Sequence, residues 1–159
     1  MTRVGIAKWL SAPRRLWRRR GHGVHSPYAY ELLRRVVAQP CSYYAFEQID
    51  AMARKAGVSA RMCRLLYRLC LHSAPRVVCC LGGEAQKIGE IVAAVLPPSA
   101  PKPVSADTDA TVIFATAEAL PALRERWQAM PHGMLFDGCR ASILAGYPHL
   151  YHQKFEIWL

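Results

Sequence analysis

At Pro75 the apolar pattern of the chain changes from helical spacing to short β-branched runs, and this change limits the fold more than any other feature. Before it, Ser26-Pro27 marks a helix start, with Ser as N-cap and Pro at the first helical position. Tyr28/Ala29, Leu32/Leu33 and Val36/Val37 then recur every four residues as far as Pro40. A second helix is predicted over 43–56, with Phe46, Ile49 and Ala53 inward and Gly57 as its stop. Ser59 caps a third, in which Met62, Leu65, Leu66, Leu69 and Cys70 form the buried face and Arg61, Arg64 and Arg68 a solvated flank.

After Pro75, RVVCCL (76–81) reads as a buried strand closing in the tight turn Gly82-Gly83. A helix is predicted over 84–96, with Ile88, Ile91, Val92, Val95 and Leu96 on one face. The segment PPSAPKP (97–103) can be neither helix nor central strand. Strands are expected at 103–107 and 111–115, a helix at 118–130 with Leu120, Leu123, Trp127 and Met130 inward, and a strand at 133–137. The C-terminal QKFEIWL alternates Phe155, Ile157 and Leu159 with polar or half-exposed neighbours, the pattern of an edge strand, expected antiparallel. This succession predicts an α/β fold with a doubly wound sheet, residues 1–75 forming a helical layer and 76–159 the α/β part. Ligands of such sheets lie at the carboxyl ends of the strands, which directs attention to Gly82-Gly83, Asp107, the segment after Ala115, and Asp137.

The chain carries 21 Lys+Arg against 11 Asp+Glu, a formal charge of +10. The excess is concentrated before residue 36, where Arg3, Lys8, Arg14, Arg15, Arg18, Arg19, Arg20, Arg34 and Arg35 face a single acid, Glu31. Together with Trp9 and Trp17, the arginines at 14, 15, 18, 19 and 20 combine charge with stacking surface, suited to nucleic acid or another acidic partner. An anionic membrane surface is a weaker fit, because Pro13 interrupts a long amphipathic helix. The apolar content of 52% excludes wholesale disorder, and no apolar run reaches the roughly 18–20 residues of a membrane span. The start lacks the apolar core of a secretory signal, and the six cysteines have neither CxxC nor zinc spacing. Reduced, mostly buried thiols in a cytoplasmic protein are therefore expected, with Cys79-Cys80 inert in their strand. His22 and His25 lie among glycines before an N-cap and are assigned structural use, not metal binding. P-loop, Gly-x-Ser-x-Gly and HExxH motifs are absent.

RRRGHGVHSPYAYELL (18–33), YYAFEQID (43–50), HGMLFDG (132–138) and HQKFEIWL (152–159) resemble class I S-adenosylmethionine-dependent methyltransferases that carry a helical N-terminal extension. The resemblance implies a Rossmann-like sheet, S-adenosylmethionine as cofactor, Gly82 and Gly83 beneath its methionine part, and Asp107 on its ribose. Several positions depart from that family. The acid ending its first strand is Cys80, a later glycine is Gln86, the acid after TVIF is replaced by Ala115-Thr116, and a paired Asp-Asp becomes Asp137-Gly138. No general base can be named. Residues 75–159 are also too few for the family's complete seven-stranded sheet, since each βαβ unit takes upward of about 30 residues. The expectation is thus a reduced Rossmann-like sheet with a helical N-terminal layer. Its function is either methyltransferase-like, with a degenerate cofactor motif, or that of a noncatalytic binding module using the basic arm.

Overall fold

The structure, a computed structural model, describes residues 12–21, 23–73, 76–105 and 111–159. His22, Trp9 and Asp107 lie outside the described residues. Helix α1 (Ala12–Arg19) has Pro13 in its first turn, where proline leaves no helical hydrogen bond unmade. Gly21 and Gly23, at φ 85° and 70°, reverse the chain into α2 (Pro27–Leu32). The Ser26 hydroxyl accepts from the Ala29 amide at 3.3 Å, as the Ser-Pro signal predicts, and α2 widens into a π-helical turn at Leu33–Val37. Helix α3 (Ala45–Ala56) stops at Gly57, φ 68°, and α4 (Ala60–Ser73) begins under the Ser59 hydroxyl, which accepts from the Met62 amide.

Strand β1 (Val78–Leu81) leads through Gly82 into α5 (Gly83–Val95). Strand β2 (Val112–Thr116), a 3-10 turn (Ala117–Ala119) and α6 (Leu120–Ala129) follow, then β3 (Met134–Asp137), β4 (Ala141–Ala145) and β5 (Gln153–Glu156). The five strands form a mixed sheet in the order β1-β2-β4-β3-β5. Strands β1 and β2 are parallel, as are β3 and β5, while β4 runs antiparallel to both of its neighbours.

The α/β class expected from the sequence is present, but the sheet differs from the expectation in three ways. Strand β4 was not foreseen. The three-residue connection Gly138–Arg140 folds it back on β3, and it pairs with β2 on its other side. The C-terminal strand is at the edge as expected, yet parallel to β3, not antiparallel. The hairpin already occupies one side of β3, and residues 146–152 carry the chain back to the end where β3 starts. Of the strand expected at 103–107, residues 106 and 107 lie outside the described residues, and the described part forms a parallel bridge between Val104 and Cys79, with Cys80 N donating to Val104 O at 2.7 Å.

Both faces of the sheet are covered. One face packs Val78, Cys80, Phe114, Phe136, Ile143 and Phe155 against α2–α5 in a continuous core with Leu32, Ile49, Leu66 and Ile88. The other packs Cys79, Ile113, Leu135 and Leu144 against Leu120 and Leu123 of α6, with Trp127 and Met130 at the margin. Of the solvated flank expected on α4, Arg61 is exposed, Arg64 is half-exposed, and Arg68 is turned to the backbone of the π-helical turn. Arg64 is paired with Asp50, and Arg68 donates from Nε to the Val36 carbonyl at 2.6 Å beside the Phe46 ring. Among the described residues no helix is long and apolar enough to cross a membrane.

Candidate functional site

Strands β1, β2, β3 and β5 run the same way, so Leu81, Thr116, Asp137 and Glu156 end on one edge of the sheet. At that edge Gly82 adopts φ 100° and ψ 154°, a conformation that L side chains avoid. Its carbonyl accepts the first bond of α5 from Gln86 N, and Gln86 itself is exposed. The 3-10 turn after β2 brings Glu118 over the same place, and Glu118 Oε1 accepts a 2.7 Å bond from the Glu84 amide. A Cβ on Gly82 would lie 2.9 Å from Glu118 Oε1 and 3.0 Å from Ala119 Cβ. A Cβ on Gly83 would meet Glu118 only at an ordinary 3.6 Å. The glycine turn is thus filled by the chain's own carboxylate, a favourable partner for a helix N-terminus.

Cys80, in the position of the family's acid, points between β1 and α5. A Cβ added to Gly89 would come within 3.0 Å of its Sγ. Burial pushes the Cys80 thiol up to about 12, so it is neutral and offers a ligand no charge-assisted bond. Thr116, the second of the pair Ala115-Thr116 that stands where the resemblance expects an acid, buries its Oγ1 with no hydrogen-bond partner among the described residues. These residues do not fit S-adenosylmethionine as the resemblance places it. The amide of Glu84 is taken, the first strand offers no acid, and Gln86, in the first turn of α5, carries a side chain where the resemblance expects a glycine.

Asp137 is buried, and its partners account for it. Arg124 donates from Nε at 3.1 Å and Nη2 at 2.8 Å to Oδ1, and Lys154 Nζ lies 3.0 Å from Oδ2. Ser142 Oγ donates to Oδ1 at 3.1 Å while accepting from Gly138 N. Burial raises the carboxyl pKa, but the bonds and charges of Arg124 and Lys154 outweigh it and hold the group below the usual carboxylate range. Asp137 therefore ties α6, β4 and β5 to the end of β3. Arg124, Lys154, Ser142 and Glu118 escape a reading of the sequence, because no local spacing links them to residues up to 34 positions away.

The basic segment divides by role. Arg15 is buried, with Nη1 3.6 Å from Cys139 Sγ and Nη2 3.7 Å from Glu156, so it fastens α1 to the edge formed by β5 and the β3–β4 connection. Arg19 donates from Nη2 to the Val37 carbonyl at 3.3 Å. Burial and the neighbouring charges of Arg61 and Arg20 lower its pKa. Arg14 and Arg20 are exposed and Arg18 is half-buried, and none of the three has an ion pair among the described residues. His25 is exposed, on the rim of a hollow with Tyr28, Met134 and His149. His152 stacks on Trp127 at 4.1 Å and bonds its carbonyl. Among the described residues no group of three or more His, Cys, Asp or Glu could hold a metal ion. No family model matches the chain, and neither curated proteins nor solved structures give a match.

Proposed function

We propose that this chain is a noncatalytic relative of class I methyltransferases with a reduced Rossmann-like sheet, acting as a binding module for an acidic partner, nucleic acid foremost. The observation that carries this reading is the division of the basic segment. Arg15 and Arg19 hold α1 against the body, and Arg14, Arg18 and Arg20 have no ion pair among the described residues. A helix fixed in this way presents its charges at little further cost in entropy. The noncatalytic half rests on Glu118 over the Gly82 turn and on neutral Cys80. Methyl transfer from S-adenosylmethionine is the second reading. It is favoured by the exposure of Glu118, since an exposed carboxylate at a helix N-terminus is worth only about 0.3–1 kcal/mol and can be displaced.

The test has two arms. Calorimetric titration with S-adenosylmethionine and S-adenosylhomocysteine is expected to give no heat up to millimolar ligand. Submillimolar binding abolished by Gly82→Val would establish the second reading instead. Binding of a fluorescent oligonucleotide or of heparin is expected to weaken steeply with salt, and again in the triple variant Arg14→Gln, Arg18→Gln, Arg20→Gln. Binding that ignores salt and these three charges would remove the module reading.

A further inference from the structure

Two adjoining hollows, of about 530 and 470 Å³, lie between α1 and the run from Tyr30 of α2 through the π-helical turn to Pro40, and share Arg20 and Ala38 in their walls. Trp17, on α1, is 58% exposed, and Tyr30, on α2, is 41% exposed. Both rings keep part of their surface exposed, and both are backed by the same glycine turn. A Cβ on Gly21 would lie 2.8 Å from the Tyr30 ring, and one on Gly23 3.5 Å from the Trp17 ring. Both glycines have positive φ, so the turn that reverses the chain also sets the two rings. Around them stand Arg19 and Arg20 beside Trp17, and Arg34, whose guanidinium lies 5.8 Å from the Tyr30 ring centre.

We infer that this groove is a base-stacking site for single-stranded nucleic acid, with Trp17 and Tyr30 receiving bases and Arg20 and Arg34 the phosphates. The inference rests on the module reading above and names its site. Aromatic platforms interleaved with cations are what an unpaired strand requires, because its bases have open faces and its backbone is charged. A duplex offers the same phosphates but keeps its bases stacked on one another. A membrane surface would need an apolar stripe continuing from Leu16 and Trp17. One helical turn further on stand Arg19 and Arg20, and one turn back is Pro13, so no stripe continues. The like-charged neighbours of Arg19 add to the case, since an anion in the groove would relieve their mutual repulsion.

Fluorescence anisotropy tests this with a fluorescein-labelled mixed-sequence 12-mer, as DNA and as RNA. The same sequence as a duplex, heparin, and phosphatidylcholine vesicles with and without phosphatidylserine serve as competitors. The single strand is expected to bind more tightly than the duplex. Trp17→Leu and Tyr30→Leu are each expected to weaken single-strand binding roughly fivefold or more, with heparin affinity unchanged. Trp17→Tyr, which keeps a ring, restores most of the loss, and thermal melts report whether each variant is folded. If the leucine variants bind the strand like wild type, or lose heparin and strand alike, the stacking site is overturned while the module reading stands. Vesicles containing phosphatidylserine outcompeting the strand would also overturn it. Absence of binding to both heparin and oligonucleotide removes both readings together.

Discussion

Glu118 Oε1 accepts the backbone amide of Glu84 at 2.7 Å, so a residue that follows β2 caps the helix that follows β1. The two strands are parallel and adjacent, and their carboxyl ends therefore lie side by side. Glu118→Ala removes this cap, and a loss of about 0.3–1 kcal/mol in chemical denaturation is expected. Under the module reading the variant still gives no heat with S-adenosylmethionine, because Cys80 and Gln86 remain. Submillimolar binding gained by Glu118→Ala would mean that the carboxylate alone had been holding the cofactor out.

The two glycines of the turn are expected to respond differently to alanine. Gly82 combines positive φ with a contact of 2.9 Å to Glu118 and 3.0 Å to Ala119, so Gly82→Ala is expected to cost about 1–3 kcal/mol of strain. Gly83 opens α5 and faces only an ordinary contact. Gly83→Ala is expected to be neutral or to stabilise by roughly 0.4–1 kcal/mol through the unfolded chain. Urea midpoints of the two variants measure the contrast, and equal losses would contradict the conformation given to Gly82.

The helical layer and the individual core positions were legible in the sequence, because they follow from local rules. Ser26 and Ser59 cap helices, Gly57 ends one, and the residues expected inward on α3 and α4 are buried. Strand β4 was missed because ASILA, only five residues long, is buried on both faces and shows no alternation to separate it from a loop. The direction of β5 could not be read either, since alternation reports which face is buried but not which way a strand runs. At the site, the glycine turn was found by its own sequence. Its occupant, Glu118, and the partners of Asp137 come from other elements, and only the assembled sheet brings them together.

Asp137 is expected to shape the acid limb of stability. Its pKa is held below the value of the unfolded chain, so its contribution is complete above the unfolded pKa, about 3.9, and is lost as pH falls through the folded value. Asp137→Asn removes the counter-charge of Arg124 and the nearer of the two acids beside Lys154, leaving it Glu156 at 3.9 Å, and is expected to cost about 2–3 kcal/mol at pH 7. The difference from wild type should then shrink progressively below about pH 4. A variant equally destabilised at pH 7 and at low pH would show that the cost arises from packing and not from the charge.

The thiols offer a test of how the chain is packed that is independent of any ligand. Cys63, Cys70, Cys79 and Cys80 are buried, and Cys41 is exposed on the connection between α2 and α3. Burial raises the Cys63 thiol to about 11 and the Cys80 thiol to about 12, and it raises Cys70 as well. Thiolate is the reactive form, so these three are protected twice, by access and by protonation. With a chromogenic disulfide reagent at pH 8, Cys41 is expected to react first, followed by half-buried Cys139 beside Arg15. The remaining thiols should react only through opening of the chain, so their rate should rise with urea. If Cys80 reacted promptly in native buffer, the space between β1 and α5 would have to be open. The carboxyl end of β1 would then be available to a ligand, contrary to the closed turn described above.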